Sequence, residues 1–165
     1  MPISAIKKTG PLLYVGLALI AITAGVLTRQ ATTYDFSTSS GARYQLADFR
    51  GQWLIINYFA PWCAPCLKEI PQLNQFAQQL PENTHLFAVN YDPADRQQVI
   101  ALKQRYNINF EVIVAGPETR LPVATPAALP ATFIIGPDGQ LAETIMGEIT
   151  QARLQQTLAS LKQGD

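Results

Sequence analysis

The stretch WLIINYFAPWCAPCLKEIP, residues 53–71, decides the fold. Its first part, Trp53 to Ala60, is almost continuously apolar, and such a run marks a central strand buried on both faces, as parallel sheets require. Beyond Pro61 and Trp62, the apolar residues Leu67, Ile70, Leu73, Phe76, Ala77 and Leu80 recur at helical spacing. Cys63 and Cys66 therefore open a helix that follows a core strand. Two cysteines at i and i+3 in a first helical turn bring their Cα atoms to the ~5.5 Å that a disulfide needs, so the pair opens and closes reversibly. The unpaired N–H groups and positive pole of the helix N-terminus stabilise a thiolate on the first cysteine. Cys63 is thus the expected exposed attacker. Cys66, one turn deeper and more buried, is the expected resolving thiol that releases a mixed disulfide. Pro65 costs little, because first-turn N–H groups have no intrahelical acceptor to lose.

The competing roles for such a pair are a metal site and two inert core thiols. A structural zinc site takes four Cys or His ligands, whereas the chain has two cysteines and one histidine, His85, on a different strand. Copper delivery calls for a histidine or methionine beside the cysteines, and neither His85 nor Met146 is so placed by the sequence. With only two cysteines there is no disulfide framework, and a CxxC beside a βαβ pattern points to redox work. No metal and no cofactor is expected. Twelve basic and twelve acidic side chains cancel, and no Lys/Arg cluster follows Lys8, which speaks against nucleic acid as a partner.

Upstream, Tyr34 to Tyr44 (YDFSTSSGARY) reads as a β-hairpin, and Leu46 to Gly51 turns the chain. Downstream come a strand at His85 to Tyr91, a helix from about Ala94 to Tyr106, and a strand at Phe110 to Ala115. That alternation implies βαβ crossovers. Gly116 to Leu129 holds Pro117, Pro122 and Pro126, too many prolines for an ordinary helix, and reads as a loop. Ala131 to Ile135, the turn Gly136 to Gly139, and Gln140 to Met146 form a strand–turn–strand unit with antiparallel strands. Thr150 caps a closing amphipathic helix that runs to Leu161.

Pro11 to Thr28 (PLLYVGLALIAITAGVLT) is uncharged and apolar. Eighteen helical residues reach ~27 Å, close to the ~30 Å of a bilayer's hydrocarbon core, so one crossing is expected. Lys7, Lys8 and the α-amino group outweigh Arg29, which puts residues 1–10 in the cytoplasm. Residues 11–28 are then the transmembrane anchor, 29–33 a linker, and 34–165 a domain in the periplasm or outside the cell. A cleaved signal peptide is the alternative, but Arg29 spoils the best-placed processing site, at Ala31.

The run from Gly51 through Pro71, together with Leu129-Pro130-Ala131-Thr132-Phe133-Ile134-Ile135 and Asp138-Gly139, resembles the membrane-anchored thioredoxin-like proteins of the TlpA/ResA type. The likeness spans roughly residues 34 to 161. It implies an α/β thioredoxin fold, a mixed central sheet flanked by helices, with an N-terminal β-hairpin and a central βα insertion. It also implies a thiol–disulfide oxidoreductase exchanging a redox-active Cys63–Cys66 disulfide with protein substrates, recharged by a membrane electron donor. The implied client is apocytochrome c before haem attachment.

Residue by residue, Pro130 matches the family's cis-proline opposite the CxxC pair, and Trp62 and Leu129 become substrate-contact residues. Glu69 matches a family glutamate, one turn after Cys66, that relays a proton or raises the thiol's pKa. Spacing alone allows equally a solvated glutamate on the helix surface. Pro71 falls where relatives bend this helix. Asn57 stands where ordinary thioredoxins carry a buried aspartate; asparagine does not titrate, so Glu69 or a water becomes the proton carrier. Ala64-Pro65 lacks the histidine of strongly oxidising sites, which favours a reductant over a disulfide-forming oxidant. A thioredoxin-fold chaperone or copper carrier is the non-enzymatic alternative.

Overall fold

The computed structural model describes residues 15–23 and 34–164, and the chain divides into two compact units, Met1–Thr33 and Tyr34–Asp165. In the first, residues 15–23 are helical. Among the described residues no helix is long and apolar enough to cross a membrane; the remainder of the expected anchor, 11–14 and 24–28, lies outside them, as do the 1–10 and 29–33 segments.

The second unit opens with a hairpin, β1 (Phe36–Ser37) and β2 (Arg43–Tyr44), and a 3-10 turn at Leu46–Phe49. Then follow β3 (Trp53–Phe59), α1 (Ala64–Gln78), β4 (Thr84–Asn90), α2 (Arg96–Arg105), β5 (Glu111–Ile113), β6 (Ala131–Ile135), β7 (Leu141–Met146) and α3 (Gln151–Gly164). The five-stranded sheet has the order β5-β4-β3-β6-β7. The central strand β3 runs parallel to β4 and antiparallel to β6. The apolar run of β3 is buried at every position, as its sequence requires, although only one of its two neighbours is parallel.

The alternation along β3 sends Ile55 and Phe59 to one face of the sheet and Leu54, Ile56 and Tyr58 to the other. All three helices take the first face. Ile70, Leu73 and Phe76 of α1, Val99 of α2, and Leu154 and Leu158 of α3 share one core there. The opposite face is covered by the hairpin, the 3-10 turn and irregular chain. Phe36 stacks on Phe49 with centroids 6.0 Å apart and meets Phe87 edge-on at 5.4 Å.

The hairpin also closes one sheet edge, since Ser39 N–H donates to Val112 O at 2.8 Å and Val114 N–H to Ser37 O at 2.9 Å. That bond explains why β5 is shorter than the Phe110–Ala115 strand expected from sequence: Val114 pairs with the hairpin, not with β4. Likewise α1 stops at Gln78, and Leu80, expected on its apolar face, is 37% exposed. Pro81 disfavours helical backbone at the residue before it. The cap at Thr150 forms as expected, its Oγ1 accepting from Arg153 N–H at 3.3 Å, while α3 runs on to Gly164. Gly139 turns the chain between β6 and β7 at φ +79°, a conformation glycine adopts without strain.

Candidate active site

The site grows from the C-terminal end of β3. Its buried strand delivers Ala60, whose carbonyl accepts from Cys63 N–H at 3.0 Å, and this turn aims the chain into α1. Cys63 is the N-cap of α1, and Pro65 falls within the first turn. Cys63 and Cys66 are joined in a disulfide with Cα atoms 5.3 Å apart. Cys66 N–H points at Cys63 Sγ, 3.3 Å away. When the bond opens, that N–H and the helix pole favour negative charge on Cys63. Cys66 is wholly buried, and Cys63 itself is only 5% exposed. Cys66 is the deeper of the two, but Cys63, expected to be exposed, is itself buried in this disulfide-bonded form.

Glu69 departs most from the bland alternative. It is fully buried, not a solvated helix residue. Asn57 Nδ2 donates to its Oε1 at 2.7 Å, and Ile149 N–H donates to its Oε2 at 2.9 Å. Burial pushes its pKa up from 4.5 to about 7; the bonds from Asn57 and Ile149 hold it from rising further, and the Glu148 carboxylate adds a small upward push. Glu148 is itself paired with Lys68 at 2.9 Å. Asn57 Nδ2 also donates to Thr132 Oγ1 at 3.0 Å, a contact set by the pairing of Asn57 with Thr132 across β3 and β6.

The peptide bond between Leu129 and Pro130 is cis, and Pro130 is buried at the start of β6, with its carbonyl accepting from Gly147 N–H at 2.9 Å. Because Tyr58 pairs with Ala131, Pro130 comes level with the end of β3, where the chain enters the cysteine pair. Leu129 packs against the core containing both cysteines and Ile149, and against the core of the other face. Trp62 is 65% exposed beside Cys63. Its Nε1–H donates to Asp92 Oδ2 at 2.7 Å and its ring meets Tyr91 edge-on with centroids 6.0 Å apart. His85 bonds to Gln52 and pairs with Leu54 on β3; burial lowers its pKa.

Cys63, Cys66, Leu129 and Ile149 thus meet in one cluster, with Glu69 tied to it through Ile149. Sequence reasoning missed Asn57 as the residue that holds Glu69, together with Thr132, Ile149 and Asp92. Only Asn57 left a signal: an amide inside an otherwise apolar strand needs a buried partner.

The chain matches the family model described as AhpC/TSA over residues 27–144, well over half its length. It is 26% identical over 136 residues to the thiol-disulfide oxidoreductase ResA of Bacillus subtilis, covering 82% of this chain and 75% of that protein. Among solved structures it superposes on StoA of Bacillus subtilis with a TM-score of 0.64 and 22% identity, covering 74% of this chain and 93% of the other. An exposed lipoprotein thioredoxin of Streptococcus pneumoniae gives a TM-score of 0.67 at 20% identity, over 77% and 98%. With a thioredoxin-like mixed sheet, a disulfide at the head of α1 and a family match across most of its length, the chain belongs to the AhpC/TSA family.

Proposed function

We propose that this chain is an extracytoplasmic, membrane-anchored thiol–disulfide oxidoreductase that reduces disulfides in client proteins. The Cys63–Cys66 disulfide at the N-terminus of α1, with Glu69 buried one turn further along the same helix, carries this reading. In the working cycle the Cys63 thiolate attacks one sulfur of a client disulfide and expels the other as a thiolate, which takes up a proton. Cys66 then loses its proton and attacks Cys63 Sγ, releasing the second client sulfur. The client gains two electrons and two protons, and the protein is left oxidised, as in this structure. Glu69, with a pKa of about 7, is matched to take or give the Cys66 proton near neutral pH. Pro130, lacking an N–H, leaves the backbone of Leu129 free to pair with an extended client segment, and Trp62 flanks it.

Recharging needs an electron donor, assigned to the membrane, and apocytochrome c is the client class that the family resemblance suggests. Anchoring through residues 11–28 is supported by the helix at 15–23. Its side chains Val15, Leu17, Leu19, Ile20 and Ile22 are all more than half exposed, and Thr23 Oγ1 bonds back to Leu19 O and Ile20 O, so its hydroxyl is satisfied within the helix.

Equilibration of the full-length chain against glutathione tests the direction of flow. A reductant has a potential near the ~−270 mV of thioredoxin, whereas a value near the ~−120 mV of DsbA would make the chain an oxidant and overturn the reductant assignment.

A further inference from the structure

The helices of this domain all pack on one face of the sheet, so the other face is sealed beyond the hairpin by the irregular, proline-rich segment that follows β5. Pro117, Pro122 and Pro126 deny that segment the N–H groups a covering helix needs. The cover is incomplete there. A cleft of about 430 Å³ opens between the segment and the C-terminal ends of β3 and β4, within the ~300–1,000 Å³ range of ligand-binding clefts.

Leu121, Val123 and Ala124 give the cleft an apolar wall, and Tyr58 contributes an aromatic one. Asn90, only 4% exposed, also lines it; its Nδ2 donates to Asp92 O, while its Oδ1 is buried with no hydrogen-bond partner. Tyr91 completes the cleft, and the ring of Tyr91 is the one that meets Trp62, next to Cys63. Tyr91 therefore links the cleft to Trp62 and, through it, to Cys63.

We infer that this cleft is a client-recognition site that seats an apolar side chain from an extended client segment flanking the disulfide. The inference rests on the oxidoreductase assignment for the identity of its occupant. It adds sequence selectivity at a place separate from the sulfur chemistry and from the Leu129–Pro130 backbone.

The test uses the full-length chain and two synthetic peptides in which serines replace both cysteines, one flanked by Leu and Phe, the other by Ser and Gly. Binding is read from tryptophan fluorescence. The apolar peptide should bind at least about tenfold more tightly. Ala124→Trp, at an exposed position on the cleft wall, should erase that preference, and Ala124→Arg should do the same. Neither change should alter the rate at which a small aromatic disulfide is reduced. Equal affinity for the two peptides, or a preference that survives both substitutions, overturns the inference. Self-association of the peptide-free chain that Ala124→Trp abolishes assigns the cleft to a second copy, and overturns it too. Because the peptides carry no disulfide, failure of the wild type to reduce the small disulfide sinks the oxidoreductase assignment by itself and leaves the binding result readable.

Discussion

Replacing Cys63 with serine is expected to lower turnover of protein disulfides by at least ~1,000-fold, a barrier increase of ~4 kcal/mol. The attacking atom must be ionised near neutral pH, and a serine hydroxyl has neither the acidity nor the nucleophilicity of a thiol. Cys63 is also the N-cap whose side chain receives Cys66 N–H. Serine is a good N-cap, so Cys63→Ser keeps α1 intact and separates chemistry from folding. An insulin-reduction assay with dithiothreitol as donor measures the loss. Residual activity above a few per cent would mean that another group performs the attack.

The second large effect concerns Glu69. Its pKa is about 7 in the folded protein and close to 4.5 when solvated, so between those values the folded state holds a proton that the unfolded state has released. Stability contributed by this group is therefore fully present below about pH 4.5, falls as pH rises to about 7, and is flat above. At ~1.4 kcal/mol per pH unit the loss is about 3 kcal/mol. Glu69→Gln should remove that slope. It should also cost stability at low pH, because the new amide sets a donor against Asn57 Nδ2 or Ile149 N–H, a mismatch of ~1–3 kcal/mol. Urea unfolding of the oxidised chain at a series of pH values gives both curves, and parallel curves for wild type and variant would remove Glu69 as the titrating group. In turnover, the same substitution should abolish any limb of the pH–rate profile near 7.

Those two residues were legible in the sequence to different degrees, for physical reasons. Cys63 and Cys66 were placed at a helix start by local pattern alone: an apolar run of strand length, then apolar residues at helical spacing. The structure keeps that arrangement. The spacing of Glu69 from Cys66 gave only its helical face, and whether that face is wet or buried depends on what packs there. The answer comes from Asn57 on β3 and Ile149 before α3, the latter 80 residues away. No local pattern encodes that. Trp62 is held by Asp92 through a bond spanning 30 residues, equally invisible until β4 is placed beside β3.

The prolines between residues 116 and 130 were enough to exclude a helix, and the structure has none there. Their larger consequence, a sheet face covered without any α-helix, appears only once α1, α2 and α3 are all found on the other side. The length of β5 shows the same limit, since the hairpin takes Val114 away from the sheet through a contact 77 residues distant in sequence.

In the proposed cycle Cys63 attacks and Cys66 resolves. The most direct test is the full-length Cys66→Ser chain, isolated without reductant from cells that make it and analysed by mass spectrometry. With the resolving thiol gone, client proteins should remain joined to Cys63 through a disulfide, be released by dithiothreitol, and be absent when Cys63 is also replaced by serine. If nothing is captured on Cys63, and the wild-type chain leaves the disulfides of insulin intact, Cys63 is not the attacking thiol of an oxidoreductase.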